Sequence, residues 1–410
     1  MTTLSPTIAA LAENLTPTAI NAFWAERERE GTPLIEPTAE ANVSLVTWLY
    51  RESDRAINSV EIVEPFSWKE RSARQLAKLE GTDIWYLTWR VRSDLRGAYG
   101  FNITWADGTG SHHVNDPIAR EYEGDGWHAE DGRTSVLVMP HASPLPWRYA
   151  DASVPRDARH EHTFCSDILG NERRIWVHTP AGYEKSAGPY PFMVIFDGEE
   201  PGYPGPEVID NLIAAGRIPP LVAIMVDQIE IRDQELPGNP DFSRALATEL
   251  VPWLRAEYNL STDPGAAILN GGSYGGFCSA YTALHHPDVF GNVIMHSPSA
   301  WMTPKLMETW ERKYGDMSSD PVGEPAEIPY LIQQFRDTER QPIRIWHECG
   351  GVENGPAPAR IWQTFGNRWL HDVLQLKGYD TTYREYIGGH DHAWWRGTIA
   401  DGLIWIFNPE

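Results

Sequence analysis

The sequence is poor in cysteine and in positive charge, and it contains no long apolar run. Three cysteines far apart in 410 residues predict no disulfide framework. Lys and Arg number 34 against 57 Asp and Glu, a net charge of −23, which argues against non-specific nucleic-acid binding, since that depends on cations that neutralise phosphates. No apolar run approaches the roughly 18 residues that a membrane-spanning helix needs. These deficits favour a globular protein without nucleic-acid or membrane partners.

The first residues lack a basic stretch followed by a long apolar core, so we predict no secretory signal and a reduced, cytoplasmic location. The composition is that of an ordinary folded protein, with 41% hydrophobic and 22% charged residues. Tryptophan, at 18 copies, exceeds phenylalanine, at 12. For any one indole a core position is the better expectation, but this number also suggests flat aromatic walls in a binding site.

The chain is long enough for two or three domains, at about 150 residues each. Residues 1–35 have helical patterns, and the next hundred residues contain short β-type runs separated by turn-forming clusters. The predicted strands are 42–50, 57–63, 83–91, 97–104 and 134–139. This spacing is typical of a β-sandwich, immunoglobulin-like or E-set-like. We predict an N-terminal sandwich domain over 1–150, preceded by short helices, with a proline-rich linker at 141–159.

From 151 to 410, strand and helix patterns alternate, which predicts a mostly parallel sheet with helices on both faces, as in the α/β hydrolases. Strands are predicted at 174–179, 190–196, 221–226, 266–269, 292–296, 343–347 and 382–387. Helices are predicted at 206–217, 243–258, 274–286, 359–376 and 398–407.

The sharpest motif is Gly271-Gly272-Ser273-Tyr274-Gly275, placed between a predicted strand and a predicted helix. Small neighbours let the backbone turn tightly, so that the Ser273 hydroxyl projects as a nucleophile. The N–H of Tyr274 at the helix start is a predicted oxyanion donor. A glycine-rich loop with an incidental serine is the plainer alternative, and the strand-to-helix context weighs against it.

A serine nucleophile needs a base, and this fold orders the chain as serine, acid, histidine. His390 follows the last predicted strand and precedes the last predicted helix. Glu353, in the loop after strand 343–347, is the favoured acid, with Glu348 as the alternative and a serine–histidine pair without an acid as a third reading. A second oxyanion donor is predicted at Gly198 or Glu199, although a plain β-turn fits equally well. His390 and His392 have no evident third ligand, so we predict no metal site.

Several segments together resemble the enterochelin (enterobactin) esterases, over nearly the whole chain. In the hydrolase part they are 194–199, 226–227, 232–237, 239, 241–242, the serine motif, 286–291, 388–391 and 395–397; in the β domain they are 81–85, 96–101 and 115–117. The Gly-x-Ser-x-Gly pattern alone is shared by many hydrolases, whereas its combination with the segments from Arg232 to Pro237 and from Gly388 to Arg396 is far more specific.

The resemblance implies a cytoplasmic serine esterase that cleaves the ester bonds of a ferric catecholate trilactone siderophore. Ser273 and His390 match the family's nucleophile and base, and Glu353 matches its acidic loop position. No cofactor is implied, because Fe³⁺ arrives with the substrate. That substrate is anionic, so a local cationic patch is expected at the site. Candidate substrate-binding residues are Arg232, Arg396, Lys305 and Arg96 as cations, with Trp301, Trp394 and Trp395 as stacking partners.

Three other functions stay open from the sequence. The chain could be an esterase for another ester, such as a feruloyl or acetyl group on carbohydrate, or an esterase that trims a siderophore during its synthesis. It could also be a non-catalytic ferric siderophore-binding protein with a vestigial triad. The oligomeric state stays open too. The β domain could complete the pocket, cover the sheet or mediate oligomerisation.

Overall fold

A computed structural model describes residues 5–63, 71–123, 133–157, 159–198, 205–305, 307, 327–353 and 363–408. The chain forms two compact units. The first comprises Met1–Pro144 and Ile387–Trp394, and the second comprises Leu145–Tyr386 and Trp395–Glu410. The sequence placed one boundary at residue 150. In the structure, the first part of that unit ends at Pro144, and the short segment Ile387–Trp394 near the C-terminus belongs to the same unit.

Two capped helices open the first unit. Helices α1 (Pro6–Ala12) and α2 (Pro17–Glu30) both have proline in the first turn, and the side chains of Ser5 and Thr16 accept backbone N–H groups at their starts. Their apolar residues form one buried cluster with side chains from the strands that follow. The cluster consists of Ile8, Leu11, Phe23, Trp24, Leu34, Leu49 and Ile84.

The rest of the first unit is antiparallel. Its strands are β1 (Leu34–Pro37), β2 (Val43–Arg51), β3 (Ile57–Val63), β4 (Ala77–Lys78), β5 (Ile84–Arg92), β6 (Arg96–Trp105), β7 (Gly110–Val114), β8 (Tyr122–Glu123) and β9 (Thr134–Val138). One sheet has the order β1-β2-β5-β4 and the other β3-β6-β9-β8, with β7 paired to β6. Tyr50 of the first sheet meets Phe101 of the second at 5.4 Å between ring centroids. The predicted sandwich is confirmed. The strands that the sequence did not predict, β1, β4, β7 and β8, are all short.

The second unit contains one mixed sheet. Its strands are β10 (Arg159–Ser166), β11 (Asn171–His178), β12 (Phe192–Ile195), β13 (Val222–Val226), β14 (Ala267–Gly272), β15 (Asn292–His296), β16 (Arg344–Gly350) and β17 (Asp380–Tyr386). They lie in the order β10-β11-β13-β12-β14-β15-β16-β17. The pairs from β13 through β17 are parallel, and only β10 and β11 are antiparallel additions.

Helices cover both faces of this sheet. They are α3 (Pro206–Ala214), α4 (Arg232–Glu235), α5 (Pro240–Ala245), α6 (Val251–Tyr258), α7 (Tyr274–His285), α8 (Tyr330–Asp337), α9 (Gln363–Leu376) and α10 (His392–Phe407). Alternate residues of β12 enter different cores, since Val194 packs with α5 to α9 and Ile195 with α3 and α10. This two-sided burial explains the continuous apolar runs of the strands. None of the described helices is long and apolar enough to cross a bilayer.

Three predicted elements need correction. The last helix begins at His392, six residues before the predicted start at Thr398. The predicted helix 243–258 is interrupted by a π-helical turn at Leu246–Leu250. Strand β10 begins at the end of the predicted linker, and it is extended because β11 pairs with it along its whole length. Residues 359–362 of the predicted helix 359–376 lie outside the described part of the chain.

Candidate active site

Ser273 lies on a sharp turn between β14 and α7. Its backbone has φ 56° and ψ −116°, a conformation that residues with a side chain rarely adopt. The Ser273 N–H donates to the carbonyl of His296 at 2.9 Å, and the Ser273 carbonyl accepts the N–H of Phe277 at 3.1 Å. Hydrogen bonds on both sides therefore hold the strained residue. The strand, turn and helix have the geometry that a nucleophile elbow requires.

The two glycines before Ser273 are required by close packing. A Cβ at Gly271 would lie 2.3 Å from the carbonyl carbon of Gly275, and a Cβ at Gly272 would lie 2.7 Å from Cζ3 of Trp395. Trp395 is only 5% exposed, since its ring packs behind the elbow. The structure places the Trp395 indole against the turn, while its stacking on a substrate stays a prediction.

A second serine stands beside the nucleophile. The Ser299 Oγ lies 3.3 Å from the Ser273 Oγ, and the Ser299 N–H donates to the Ser273 carbonyl at 3.1 Å. Ser299 is 2% exposed. Sequence reasoning missed this residue, because only the pairing of β14 with β15 brings the segment after β15 beside the elbow. A hydroxyl at this distance can orient the nucleophile through a hydrogen bond.

The two predicted oxyanion donors differ in the structure. Tyr274 is the first residue of α7, so the positive end of the helix dipole adjoins Ser273. The Gly198 N–H instead donates to the Val226 carbonyl at 2.9 Å. A Cβ at Gly198 would lie 2.5 Å from that of Met225, so glycine serves close strand packing here. The prediction that the Gly198 N–H is a donor is corrected accordingly, and its alternative, Glu199, lies outside the described residues.

An ion pair links the end of β12 to the elbow. Arg232 donates to Asp197 through two hydrogen bonds, from Nε to Oδ1 at 2.5 Å and from Nη2 to Oδ2 at 2.9 Å. The guanidinium carbon lies 5.2 Å from the centre of the Tyr274 ring. A Cβ at Gly275 would meet the Asp197 Oδ2 at 3.3 Å. The charge predicted for substrate binding at Arg232 is thus balanced by a buried carboxylate, which sequence reasoning had not identified.

Glu348, the alternative acid, lies in a closed network inside the sheet. Its Oε1 meets the His296 Nδ1 at 2.6 Å and accepts the Thr398 hydroxyl at 2.5 Å. Glu348 is 1% exposed, and burial raises the pKa of its carboxyl group, opposed by the adjacent His296. Since the His296 carbonyl holds the Ser273 N–H, this network supports the elbow from below.

Glu353, the favoured acid, lies beyond the carboxyl end of β16. Its Oε1 accepts the N–H of Gly350 at 2.6 Å and the hydroxyl of Ser297. Ser297 directly follows β15, and β14, β15 and β16 are adjacent parallel strands. Glu353 and Ser273 therefore lie at the same edge of the sheet, where the side chains of a catalytic site in this fold are expected.

His390 lies in the loop between β17 and α10, at the position predicted for the base. It belongs to the segment Ile387–Trp394, which groups with the first unit. Its side chain is partly exposed, whereas the neighbouring Asp391 and His392 are 5% and 4% exposed. The loop therefore has a buried frame around a more accessible imidazole.

The remaining predicted substrate residues are of two kinds. Arg96 is 5% exposed and lies near Glu121 and Trp394, and Trp301 is part of the hydrophobic core. Their contact with substrate stays a prediction. Lys305 is exposed, and Arg396 lies partly exposed in the first turns of α10. Within the described residues, no group of three or more His, Cys, Asp or Glu side chains is arranged to hold a metal ion.

A mostly parallel sheet covered by helices, with a strained serine on a strand-turn-helix elbow, defines a serine hydrolase of the α/β-hydrolase class. Residues 166–406 match the esterase family model described as "Putative esterase". The chain belongs to this esterase family. Residues 45–148 match a second model, the enterochelin esterase N-terminal domain.

Similar proteins match both parts of the chain. An iron(III) enterobactin esterase from Dickeya dadantii is 29% identical, over 95% of this chain and 93% of its own length. An iron(III) salmochelin esterase from Escherichia coli is 26% identical, over 93% and 92%. A crystal structure of the enterobactin esterase from Shigella flexneri, in the presence of enterobactin, superposes with a TM-score of 0.74 over 95% of this chain and 98% of that chain, at 24% identity.

Proposed function

We propose that this protein is a serine esterase that hydrolyses the ester bonds of a ferric catecholate trilactone siderophore of the enterobactin type. The observation that carries the proposal is the strained Ser273 elbow in a chain that matches an iron(III) enterobactin esterase over 95% of its length. The match with the enterochelin esterase N-terminal domain supports the same substrate class. Because the similarity to the enterobactin esterase extends over both the N-terminal and the hydrolase part of the chain, it favours this activity over that of a general carbohydrate esterase.

In the proposed reaction, His390 removes the proton from the Ser273 hydroxyl as Oγ attacks an ester carbonyl of the trilactone. The N–H of Tyr274 stabilises the negative charge that develops on the carbonyl oxygen. The ester C–O bond then breaks, and His390 passes its proton to the departing alkoxide. This leaves an acyl group on Ser273.

Water completes the cycle. His390 takes a proton from a water molecule, the resulting hydroxide attacks the acyl carbon, and the C–Oγ bond breaks with return of the proton to Ser273. Glu353, fixed by Gly350 and Ser297, is the proposed acid that orients His390. No resident cofactor takes part in these steps, and iron enters as part of the substrate. Opening the lactone ring removes the preorganisation that makes the chelate tight.

The proposed substrate and the protein have charge of the same sign. With a net charge of −23, the protein needs cations close to the site to attract a ferric tris-catecholate. Arg396 and Lys305 are the proposed cations, since both have partly or fully exposed side chains. Arg396 follows His390 by six residues, within the segment that carries the family resemblance.

The proposal is tested with the wild-type protein and Ser273→Ala, each incubated with iron(III) enterobactin, iron-free enterobactin and iron(III) salmochelin. Mass spectrometry follows the linear trimer, dimer and monomer. We expect products with the wild type and a loss of at least about 10³-fold with Ser273→Ala. Ser279→Ala, which removes a buried hydroxyl bonded to the Gly275 carbonyl in the same helix, serves as the control.

Each of the other possible outcomes would reject a part of this proposal. Ser273-dependent turnover of feruloyl or acetyl carbohydrate esters alone would retain the esterase and reject the siderophore. Quenching of tryptophan fluorescence by the ferric siderophore, without cleavage of any ester, would identify a binding protein. Equal turnover by the wild type and Ser273→Ala would reject Ser273 as the nucleophile.

A further inference from the structure

Among the residues that the structure describes, which omit 64–70 directly after β3, no strand pairs with the β3 side of β6 over its first four residues. Arg96–Tyr99 pair with β9 on one side, whereas β3 begins to pair with β6 only at Gly100. The first residues of β6 therefore present backbone groups to another segment. Such exposed edge groups are normally satisfied by a partner.

The segment Ile387–Trp394 is that partner, and it brackets His390 on both sides. The Arg96 N–H donates to the Ile387 carbonyl at 2.9 Å. The Trp394 Nε1–H donates to the Arg96 carbonyl at 2.8 Å. The Ala98 N–H donates to the Asp391 Oδ2 at 3.2 Å. The three bonds involve residues before His390, directly after it, and one helical turn beyond it.

Packing makes the same segment rigid. A Cβ at Gly388 would lie 1.7 Å from the Trp394 Nε1, so only glycine lets the indole close over the loop. Trp394 is 3% exposed, and the Arg96 guanidinium carbon lies 5.7 Å from the centre of its ring. The Asp391 Oδ1 also accepts the N–H of Ala393 at 2.9 Å, which caps the start of α10.

We infer that β6 of the N-terminal domain positions the catalytic base, with Trp394 and Asp391 as the positioning residues that fix the His390 loop. This rests on the proposed function, in which His390 is the base. It also explains why Arg96, although buried, lies in a segment that carries the family resemblance.

The test compares two tryptophans of the same unit. Trp394→Phe keeps an aromatic ring and removes the hydrogen bond to the Arg96 carbonyl. The control is Trp24→Phe, because Trp24 is also 3% exposed and its Nε1–H donates to the Asp83 Oδ1 at 2.9 Å. Turnover is measured on iron(III) enterobactin and on p-nitrophenyl butyrate, and folding is checked by circular dichroism.

We expect Trp394→Phe to lower kcat about 10-fold or more on both esters, with KM within about twofold, because small displacements of a catalytic group are costly. Trp24→Phe should retain the wild-type kcat. In a His390→Ala background, Trp394→Phe should cause no further loss, since a residue that acts through His390 has nothing left to position. The same relative loss in both backgrounds would overturn the inference, as would an unchanged kcat of folded Trp394→Phe.

Asp391 supplies a second variant pair should Trp394→Phe fail to fold. Asp391→Asn keeps an oxygen acceptor for the Ala98 N–H, so it should retain clearly more activity than Asp391→Ala; equal loss would contradict the inference. Turnover of p-nitrophenyl butyrate distinguishes a failure of the proposed substrate from a failure of the inference about His390. Wild-type turnover of p-nitrophenyl butyrate without siderophore cleavage would reject the proposed substrate and leave this inference testable. Full activity of His390→Ala would reject both the base and its positioning.

Discussion

Arg232 and Asp197 show how one pair of side chains can support a catalytic turn. The guanidinium holds the carboxylate through two parallel hydrogen bonds, and both groups adjoin the elbow, Arg232 at the Tyr274 ring and Asp197 at Gly275. Asp197 itself has φ 58°, so the ion pair also fixes a strained backbone at the end of β12. These contacts predict a positioning role for Arg232 at the turn.

Arg232→Lys tests this positioning role, since lysine keeps the charge but cannot form the two-pronged contact. We expect kcat to fall about 10-fold on both iron(III) enterobactin and p-nitrophenyl butyrate, with little change in KM. A raised KM for the anionic siderophore alone would restore Arg232 as a substrate cation. Arg244→Lys, which alters an exposed ion pair with Asp241, is the matched control.

At the scale of elements, helix α4 is attached to the sheet by a second, fully buried ion pair. Arg173 of β11 donates to Glu235 through Nη1 at 2.8 Å and Nη2 at 2.6 Å, and their side chains are 2% and 3% exposed. The Arg173 Nη1 also reaches the Asp227 carbonyl at 3.2 Å. Because α4 begins with Arg232, this anchor places the guanidinium that holds Asp197.

Glu235→Gln should destabilise the protein by about 3 kcal/mol, because it leaves a buried guanidinium without its counter-charge. The free energy of unfolding in urea measures the change. Asp241→Asn, at an exposed pair, should change that free energy little. Equal effects of the two substitutions would show that the buried pair contributes no more than a surface one.

At the scale of the whole molecule, buried histidines link stability to pH. Burial, aided by the neighbouring His371, lowers the pKa of His347 from 6.5 to about 3. Between these values the unfolded chain binds a proton that the folded chain does not, so stability falls as the pH drops below about 6.5. His371, whose pKa is lowered by burial, acts in the same direction, whereas Glu348, whose pKa is raised by burial, acts in the opposite one.

His347→Asn isolates this contribution. Between pH 7 and pH 5, the wild type should lose more unfolding free energy than the variant, by up to about 1.4 kcal/mol per pH unit. Urea unfolding at both pH values, followed by circular dichroism, gives the comparison. His160→Asn, at an exposed histidine, controls for the substitution itself. Parallel pH dependences of the wild type and His347→Asn would contradict the prediction.

The sequence by itself determined the class of the fold and the position of the elbow. Alternating apolar patterns located β2, β3, β5, β6 and β9 to within a residue or two of their bounds, because strand formation and burial are encoded in neighbouring residues. The same holds for Gly271 to Gly275, where the small residues and the turn they permit are contiguous in the chain. The sequence also predicts Ser273, Glu353 and His390 as the catalytic residues, in the chain order that this fold uses.

Only the tertiary structure decided which side chains support these residues. The Gly198 N–H donates to the Val226 carbonyl, and the Arg232 guanidinium donates to the Asp197 carboxylate. The Asp391 carboxylate accepts the N–H of Ala98, which lies 293 residues away in the chain. No local pattern encodes such pairs, because each depends on how distant strands are ordered in a sheet. From the sequence alone, Arg96 is a candidate substrate cation, because its distant neighbours are unknown. In the structure it is a buried neighbour of Trp394.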